Sequence, residues 1–181
     1  MRAGINSVLL AVILALCPFC PALAADSASI TITMIGVVDE ISITLDKTQW
    51  PLGEVASNTE YMTSPPIEWC TLNVTGNCAV DTFIVGENAE WVDNPSSYQW
   101  ALSSDGGNGE DIYGLWFRIS GDTTRGYVPI TKTEGEFWPY SGGSSLDPGD
   151  TKQFGLRLLT PNFFIGGREM RTQITISAVA A

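Results

Sequence analysis

The chain has 181 residues, with 9 Lys and Arg against 20 Asp and Glu, no His, and a formal net charge of −11 at pH 7. So negative a chain repels nucleic acid and anionic lipid, which excludes nucleic acid as a partner. The lack of histidine removes the commonest general base and the commonest transition-metal ligand, and with them the usual Ser-His-Asp and Cys-His hydrolases. We therefore expect a protein that is not an enzyme.

The first 24 residues have the pattern of a secretory signal peptide. Arg2 gives the positive start, residues 8–16 the apolar run, and Ala22-Leu23-Ala24 the small-x-small cleavage motif. We expect the mature chain to begin near Ala25 and to be exported, to the periplasm, the cell surface or the medium. No later segment has the roughly 20 apolar residues of a transmembrane helix, so we expect no membrane insertion of the mature chain.

Short stretches that alternate apolar and polar residues recur along the chain, with turn-forming residues between them. The predicted strands are residues 30–33, 41–44, 68–74, 80–85, 98–103, 112–120, 127–131, 152–159 and 174–177. Many short strands at this spacing, without a helical period, indicate an all-β antiparallel sandwich. We expect one domain over residues 25–181, with a long aromatic-rich central section at residues 86–141.

Two of these strands, at residues 29–33 and 173–177, resemble each other as ladders of Ile and Thr. In one interpretation both simply close the sandwich. In the other, one of them lies at a sheet edge, where free N–H and C=O groups can recruit a neighbouring chain. A second copy of the chain, held by edge-strand pairing, is therefore a candidate partner.

Two short motifs and the end of the chain carry a family resemblance. Residues 50–55 read WPLGEV, an aromatic-x-x-Gly-x-Val segment, and residues 73–77 read NVTGN, an Asn-x-x-Gly-Asn turn. With residues 146–177, they resemble the hydin-like (ASH-type) bacterial immunoglobulin-like domains, over the flanks of residues 43–177. The resemblance implies an immunoglobulin-like β-sandwich that serves as a binding or spacer module, with other surface proteins as partners.

Cys70 and Cys78 are the only cysteines that remain after residue 24, and an even pair in an oxidising compartment suggests a disulfide. To bridge them, the chain must reverse about Val74, whereas the family-like pattern extends the strand to Val74. The two alternatives exclude each other, because Cα atoms more than about 7 Å apart cannot be bridged. We predict the disulfide.

A Gly-rich acidic loop at residues 104–111 is the best candidate for a metal site. Asp105, Asn108, Glu110 and Asp111 offer the oxygen ligands that calcium prefers, although their spacing is not that of an EF-hand. The alternative is an acidic hairpin loop without metal. Apart from a calcium ion here, we expect no cofactor.

Three aromatic side chains are candidates for the surface. In residues 112–120 the apolar face is formed by Tyr113, Leu115, Phe117 and Ile119, which leaves Trp116 on the opposite face. Trp138 and Tyr140 precede a Gly-Ser loop. Exposed planar rings stack on sugars. The first function expected is thus a secreted or cell-surface sandwich with a structural or surface-interaction role, and the alternative is a carbohydrate-binding module that binds glycan.

Overall fold

The computed structural model describes residues 34–36, 38–139 and 143–181, and the compact unit Val38–Ala181 holds every strand among them. The strands are β1 (Ile43–Leu45), β2 (Glu60–Met62), β3 (Cys70–Val74), β4 (Val80–Gly86), β5 (Ala89–Trp91), β6 (Gln99–Leu102), β7 (Ile112–Ile119), β8 (Val128–Pro129), β9 (Gly135–Trp138), β10 (Thr151–Leu159), β11 (Met170–Arg171) and β12 (Ile174–Ala180). The described residues contain no helix, which confirms the all-β prediction. The predicted signal peptide and the ladder at residues 29–33 lie outside these ranges.

The strands form two sheets. The large sheet has the order β1-β3-β10-β7-β6-β5-β11, with β2 paired to β10 and β8 paired to β7. The small sheet has the order β12-β4-β9. Neighbouring strands are antiparallel throughout, except for β6 and β7, which are parallel.

The two sheets share one hydrophobic core. The predicted apolar face of β7 is confirmed, because its side chains are at most 3% exposed: Tyr113, Leu115, Phe117 and Ile119. Across the core, the fully buried ring of Phe137 in β9 stacks 5.2 Å from that of Phe117 and meets Phe154 of β10 edge-on at 5.1 Å. These contacts join the small sheet to the large one, an arrangement consistent with a β-sandwich.

The parallel pair corrects the expectation of a wholly antiparallel sheet. We call residues 103–111 the crossover segment; an acidic hairpin loop was one of the two expectations for residues 104–111. Instead they return across the outer face of β7, so that β6 and β7 run in the same direction, with Leu102 opposite Tyr113. A Cβ atom on Gly114 would lie 2.1 Å from the carbonyl oxygen of Gly106. Only glycine permits so close an approach, and a period-two pattern cannot signal it.

The predicted disulfide is also corrected, because Cys70 and Cys78 are free thiols. β3 continues to Val74, which pairs with Ile43 of β1, so the extended strand is the alternative that is observed. Five residues of strand put Cys70 about 13 Å from Val74. Cys78 lies beyond that end, with its Sγ atom 3.7 Å from the carbonyl oxygen of Glu40, and the two sulfur atoms cannot meet.

Thiol titration checks this correction. Denatured, unreduced chain of residues 25–181 should titrate two thiols, and a Cys70→Ser variant one. In the folded chain, burial raises the pKa of the Cys70 thiol, so less of it is thiolate and it should be alkylated slowly at neutral pH. If no thiol titrates in the wild type, the predicted disulfide is present and the correction is wrong.

Tyr113 connects the ends of both sheets through hydrogen bonds of its hydroxyl group. Its hydroxyl group donates to the carbonyl oxygen of Glu87 at 2.6 Å and lies 2.7 Å from Oγ1 of Thr172. Glu87 joins β4 to β5, and Thr172 joins β11 to β12. Burial raises the pKa of Tyr113 to about 12.

Tyr113→Phe should lower the free energy of unfolding by about 1 kcal/mol near neutral pH, since a buried hydrogen bond is lost. The folded pKa lies above the ordinary value of 10, so the contribution of this hydroxyl group is complete below pH 10 and is lost as the pH rises to about 12. Urea unfolding at about pH 8 and about pH 11 should therefore show a larger loss for wild type than for the variant. Equal losses would mean that the phenol is not held in its neutral form.

Candidate functional site

Trp116, predicted to be exposed, is only 7% exposed. Strand parity placed it correctly on the face of β7 opposite the core, but the crossover segment covers that face. A Cβ atom on Gly106 would lie 2.5 Å from its Nε1 atom, and the Arg157 guanidinium group stands 4.0 Å from its ring centre. The predicted exposure of Trp116 was therefore wrong, and its indole ring is covered by the chain itself.

Trp138 is half-buried, and its ring is occupied by the protein itself. The Lys152 ammonium group lies 3.9 Å from the ring centre, and the indole N–H donates to the carbonyl oxygen of Ser144 at 3.0 Å. Tyr140 lies outside the described residues. Of the three aromatic side chains expected at a sugar site, only Trp138 is thus described at the surface, with a cation on its ring.

Three of the four residues of the candidate calcium loop, Asp105, Asn108 and Asp111, have separate hydrogen-bond partners. Oδ1 of Asp105 accepts hydrogen bonds from Ser103 Oγ and from the Gly107 N–H, and the latter bond lowers the pKa of the Asp105 carboxyl group. The amide of Asn108 donates to Asn58 Oδ1 and to the carbonyl oxygen of Thr160. The Asp105 bonds lie within the crossover segment, whereas the Asn108 bonds fix that segment on its neighbours.

Asp111 accepts a hydrogen bond from the hydroxyl group of Tyr98, away from Asp105. Among the described residues, no three His, Cys, Asp or Glu side chains are close enough to hold a metal ion, so Asp105, Glu110 and Asp111 do not form such a group. The calcium site stays a prediction without a built cluster of carboxylates.

The crossover segment leaves an open depression of about 420 Å³ beside β6. Its lining consists of Ala101, Leu102, Ser103, Ser104, Asp105, Gly107, Asn108 and Ile112. This lining combines apolar side chains with hydroxyl, carboxylate and amide groups. Ile112, 38% exposed, connects the depression to a neighbouring apolar surface.

That neighbouring surface contains Phe163 and Ile165, which are 61% and 52% exposed. The N–H of Asp111, next to Ile112, donates to the carbonyl oxygen of Phe163 at 3.0 Å, and the N–H of Ile165 donates to the Tyr98 hydroxyl group at 3.0 Å. Main-chain hydrogen bonds therefore hold exposed apolar side chains from two segments in fixed positions.

Arg168 lies beside them between two aromatic rings. Its guanidinium carbon is 4.7 Å from the ring centre of Trp91 and 4.4 Å from that of Tyr98, distances typical of cation–π contacts. We call Ile112, Phe163, Ile165 and this Arg168 clamp the loop-end surface. Sequence reasoning missed it, because its residues come from separate stretches of the chain that only the fold brings together. The apolar run at residues 163–165, directly before Gly166 and Gly167, was the signal that could have found it.

Two comparisons with known proteins found no match. No protein-family model matches the chain, and no curated protein is significantly similar to it. Within the described part of the chain, no helix has the length and apolar character needed to cross a membrane.

Gly106→Ala tests whether the crossover segment rests on Trp116. Gly106 has φ +88° and Gly121 has φ +79°, but a Cβ atom on Gly121 would meet nothing within 4 Å. Both substitutions to alanine carry the cost of a positive φ, about 1 kcal/mol, whereas Gly106→Ala adds overpacking of about 1–3 kcal/mol. The urea midpoint should fall further for Gly106→Ala, with a red shift of tryptophan emission. Equal losses would contradict the packing described here.

Proposed function

We propose that this chain is an exported, non-catalytic, immunoglobulin-like β-sandwich that binds another surface protein through the loop-end surface. The signal-peptide pattern of residues 1–24 supports export. The two sheets around one core and the ASH-type motifs support the immunoglobulin-like class. The loop-end surface is the observation on which the binding role depends.

The composition of that surface is that of a binding site for protein. Exposed apolar side chains that cluster on a small acidic domain mark contact sites, because exposure of such groups to water is unfavourable. Trp, Tyr and Arg are the residue types that dominate interface energies. The clamp presents Arg168 with little remaining rotamer freedom, so ordering it on binding costs little. A partner with an apolar patch and an acidic group beside it fits this arrangement.

The test has two steps. Expression of the full chain in an exporting host, followed by intact-mass analysis, should show loss of residues 1–24. The exported protein should then bind intact cells of the source organism, and Phe163→Ser with Ile165→Ser should weaken that binding at least about tenfold, the effect of about 1.4 kcal/mol. Met62→Ser, which changes a side chain that is 53% exposed on β2, is the matched control and should have no effect.

Retention of residues 1–24 on a cytoplasmic product would remove the export proposal. Binding that is equal for the wild type and the Phe163 and Ile165 double variant would show that the loop-end surface is not the contact site.

The alternative, a carbohydrate-binding module, is weakened by the positions of its proposed residues. Trp116 is buried and the ring of Trp138 carries Lys152. If a glycan array did show binding that Trp138→Ala abolishes, the sugar-binding alternative would replace protein binding.

A further inference from the structure

β12 has one edge that is free among the described residues. In the small sheet it pairs with β4 alone. The Glu87 N–H donates to the Gln173 carbonyl oxygen at 3.1 Å and the Ala181 N–H to that of Ala79 at 3.0 Å. Main-chain groups of a strand alternate in direction, so the odd-numbered residues of β12 bond to β4. The outward-facing residues are then Ile174, Ile176, Ala178 and Ala180.

Three of these four residues lie on the core side of the sheet, and the fourth, Ala180, is exposed. Ile174, Ile176 and Ala178 pack against the core but are only partly buried, whereas Thr175 and Val179 are exposed on the other face. An added strand would therefore gain main-chain hydrogen bonds and could also extend the core with its own apolar side chains. β12 reads ITISAVA, without the Lys, Pro or Gly that commonly protect a sheet edge.

Residues 29–33 have the sequence that such an added strand needs. They read SITIT, with Ile30 and Ile32 on one face of a strand and Thr31 and Thr33 on the other. We propose that residues 29–33 of one chain pair with the free edge of β12 in a second copy. The proposal rests on the removal of residues 1–24 proposed above, which frees this segment near the new terminus.

The chain enters the folded unit beside the C-terminal end of β12. Nδ2 of Asn77 donates to the carbonyl oxygen of Val38 at 2.9 Å, and the N–H of Asn77 donates to that of Glu40 at 3.0 Å. Asn77 is two residues from Ala79, which bonds to Ala181.

Met34, Ile35 and Val38 are apolar and are 84%, 86% and 84% exposed, so their burial against a second copy would be favourable. A donor strand from a second copy can pair in the antiparallel direction, which is slightly more stable than the parallel one. Each copy then has one donor strand and one acceptor edge, so copies join head-to-tail, in a ring or in an open series.

Light scattering coupled to size exclusion tests the proposal on residues 25–181. Wild type should form species that are multiples of one chain. Residues 34–181, which lack the donor, should be single chains. The Ala178→Pro variant should also consist of single chains. Proline removes an outward N–H that does not bond to β4, and its ring blocks the edge. A mixture of the two variants should form two-chain complexes. Val179→Thr, on the exposed face, should assemble as wild type does.

Matched changes in the donor give a second test. Ile32→Asp should abolish assembly, whereas Thr31→Asp, on the opposite face of the donor strand, should retain it. Hydrogen exchange supplies a readout that needs no β12 variant. The amides of Ile174, Ile176 and Ala178 should be protected in the wild-type assembly and unprotected in residues 34–181, while those of Thr175, Ser177 and Val179 are protected in both.

Three results would overturn the proposal. A wild-type single chain with protected Ile174 and Ile176 amides would mean that residues 29–33 pair with their own β12. Dimers of residues 34–181 would mean that two β12 strands pair with each other. A wild-type single chain with unprotected amides at every protein concentration up to the solubility limit would mean that the edge is not used. Assembly should be unchanged by the Phe163 and Ile165 double variant, so failure here would leave the binding role of the loop-end surface standing.

Discussion

The close contact between the Gly106 and Gly114 backbones determines how the large sheet is built. A side chain at either residue would prevent the crossover segment from lying on β7, since a Cβ atom at Gly114 would be 2.1 Å from the Gly106 carbonyl oxygen. Because the segment lies there, β6 and β7 are parallel neighbours and Trp116 is buried. The same segment lines the depression and brings Asp111 to Tyr98 and Phe163, so the loop-end surface depends on this contact as well.

Alternation along the sequence predicts which face of a strand is apolar, and it does so correctly for β7 and β12. It carries no information about what lies on the other face. Trp116 was therefore assigned to the correct side of β7 and to the wrong environment. The parallel pair and the free cysteines share this cause, because each depends on where a distant backbone runs. The loop-end surface was missed because its residues come from three separate segments that only the fold brings together.

Among the described residues, three cations of this chain lie against Trp or Tyr rings. Arg157 lies over Trp116 and Tyr127, Lys152 over Trp138, and Arg168 between Trp91 and Tyr98. The chain has only 9 Lys and Arg for 20 acidic residues, so this use is substantial. A cation over an aromatic ring occupies a face on which a sugar could otherwise stack. The same contacts fix Arg168 for a partner, and this favours recognition of protein over recognition of glycan.

The strand proposed to join β12 is short. Its affinity depends on how the free energies of burial and hydrogen bonding compare with the cost of association. Burial of Ile30 and Ile32 contributes about 3–6 kcal/mol in total, and four or five main-chain hydrogen bonds contribute about 2–7 kcal/mol. Association costs about 4–15 kcal/mol in lost freedom of motion. The gains and the cost are close to equal, so five residues alone give weak pairing that depends on protein concentration. Met34, the next residue on the same face as Ile30 and Ile32, is 84% exposed, and its burial in the second copy would shift the balance toward a stable series.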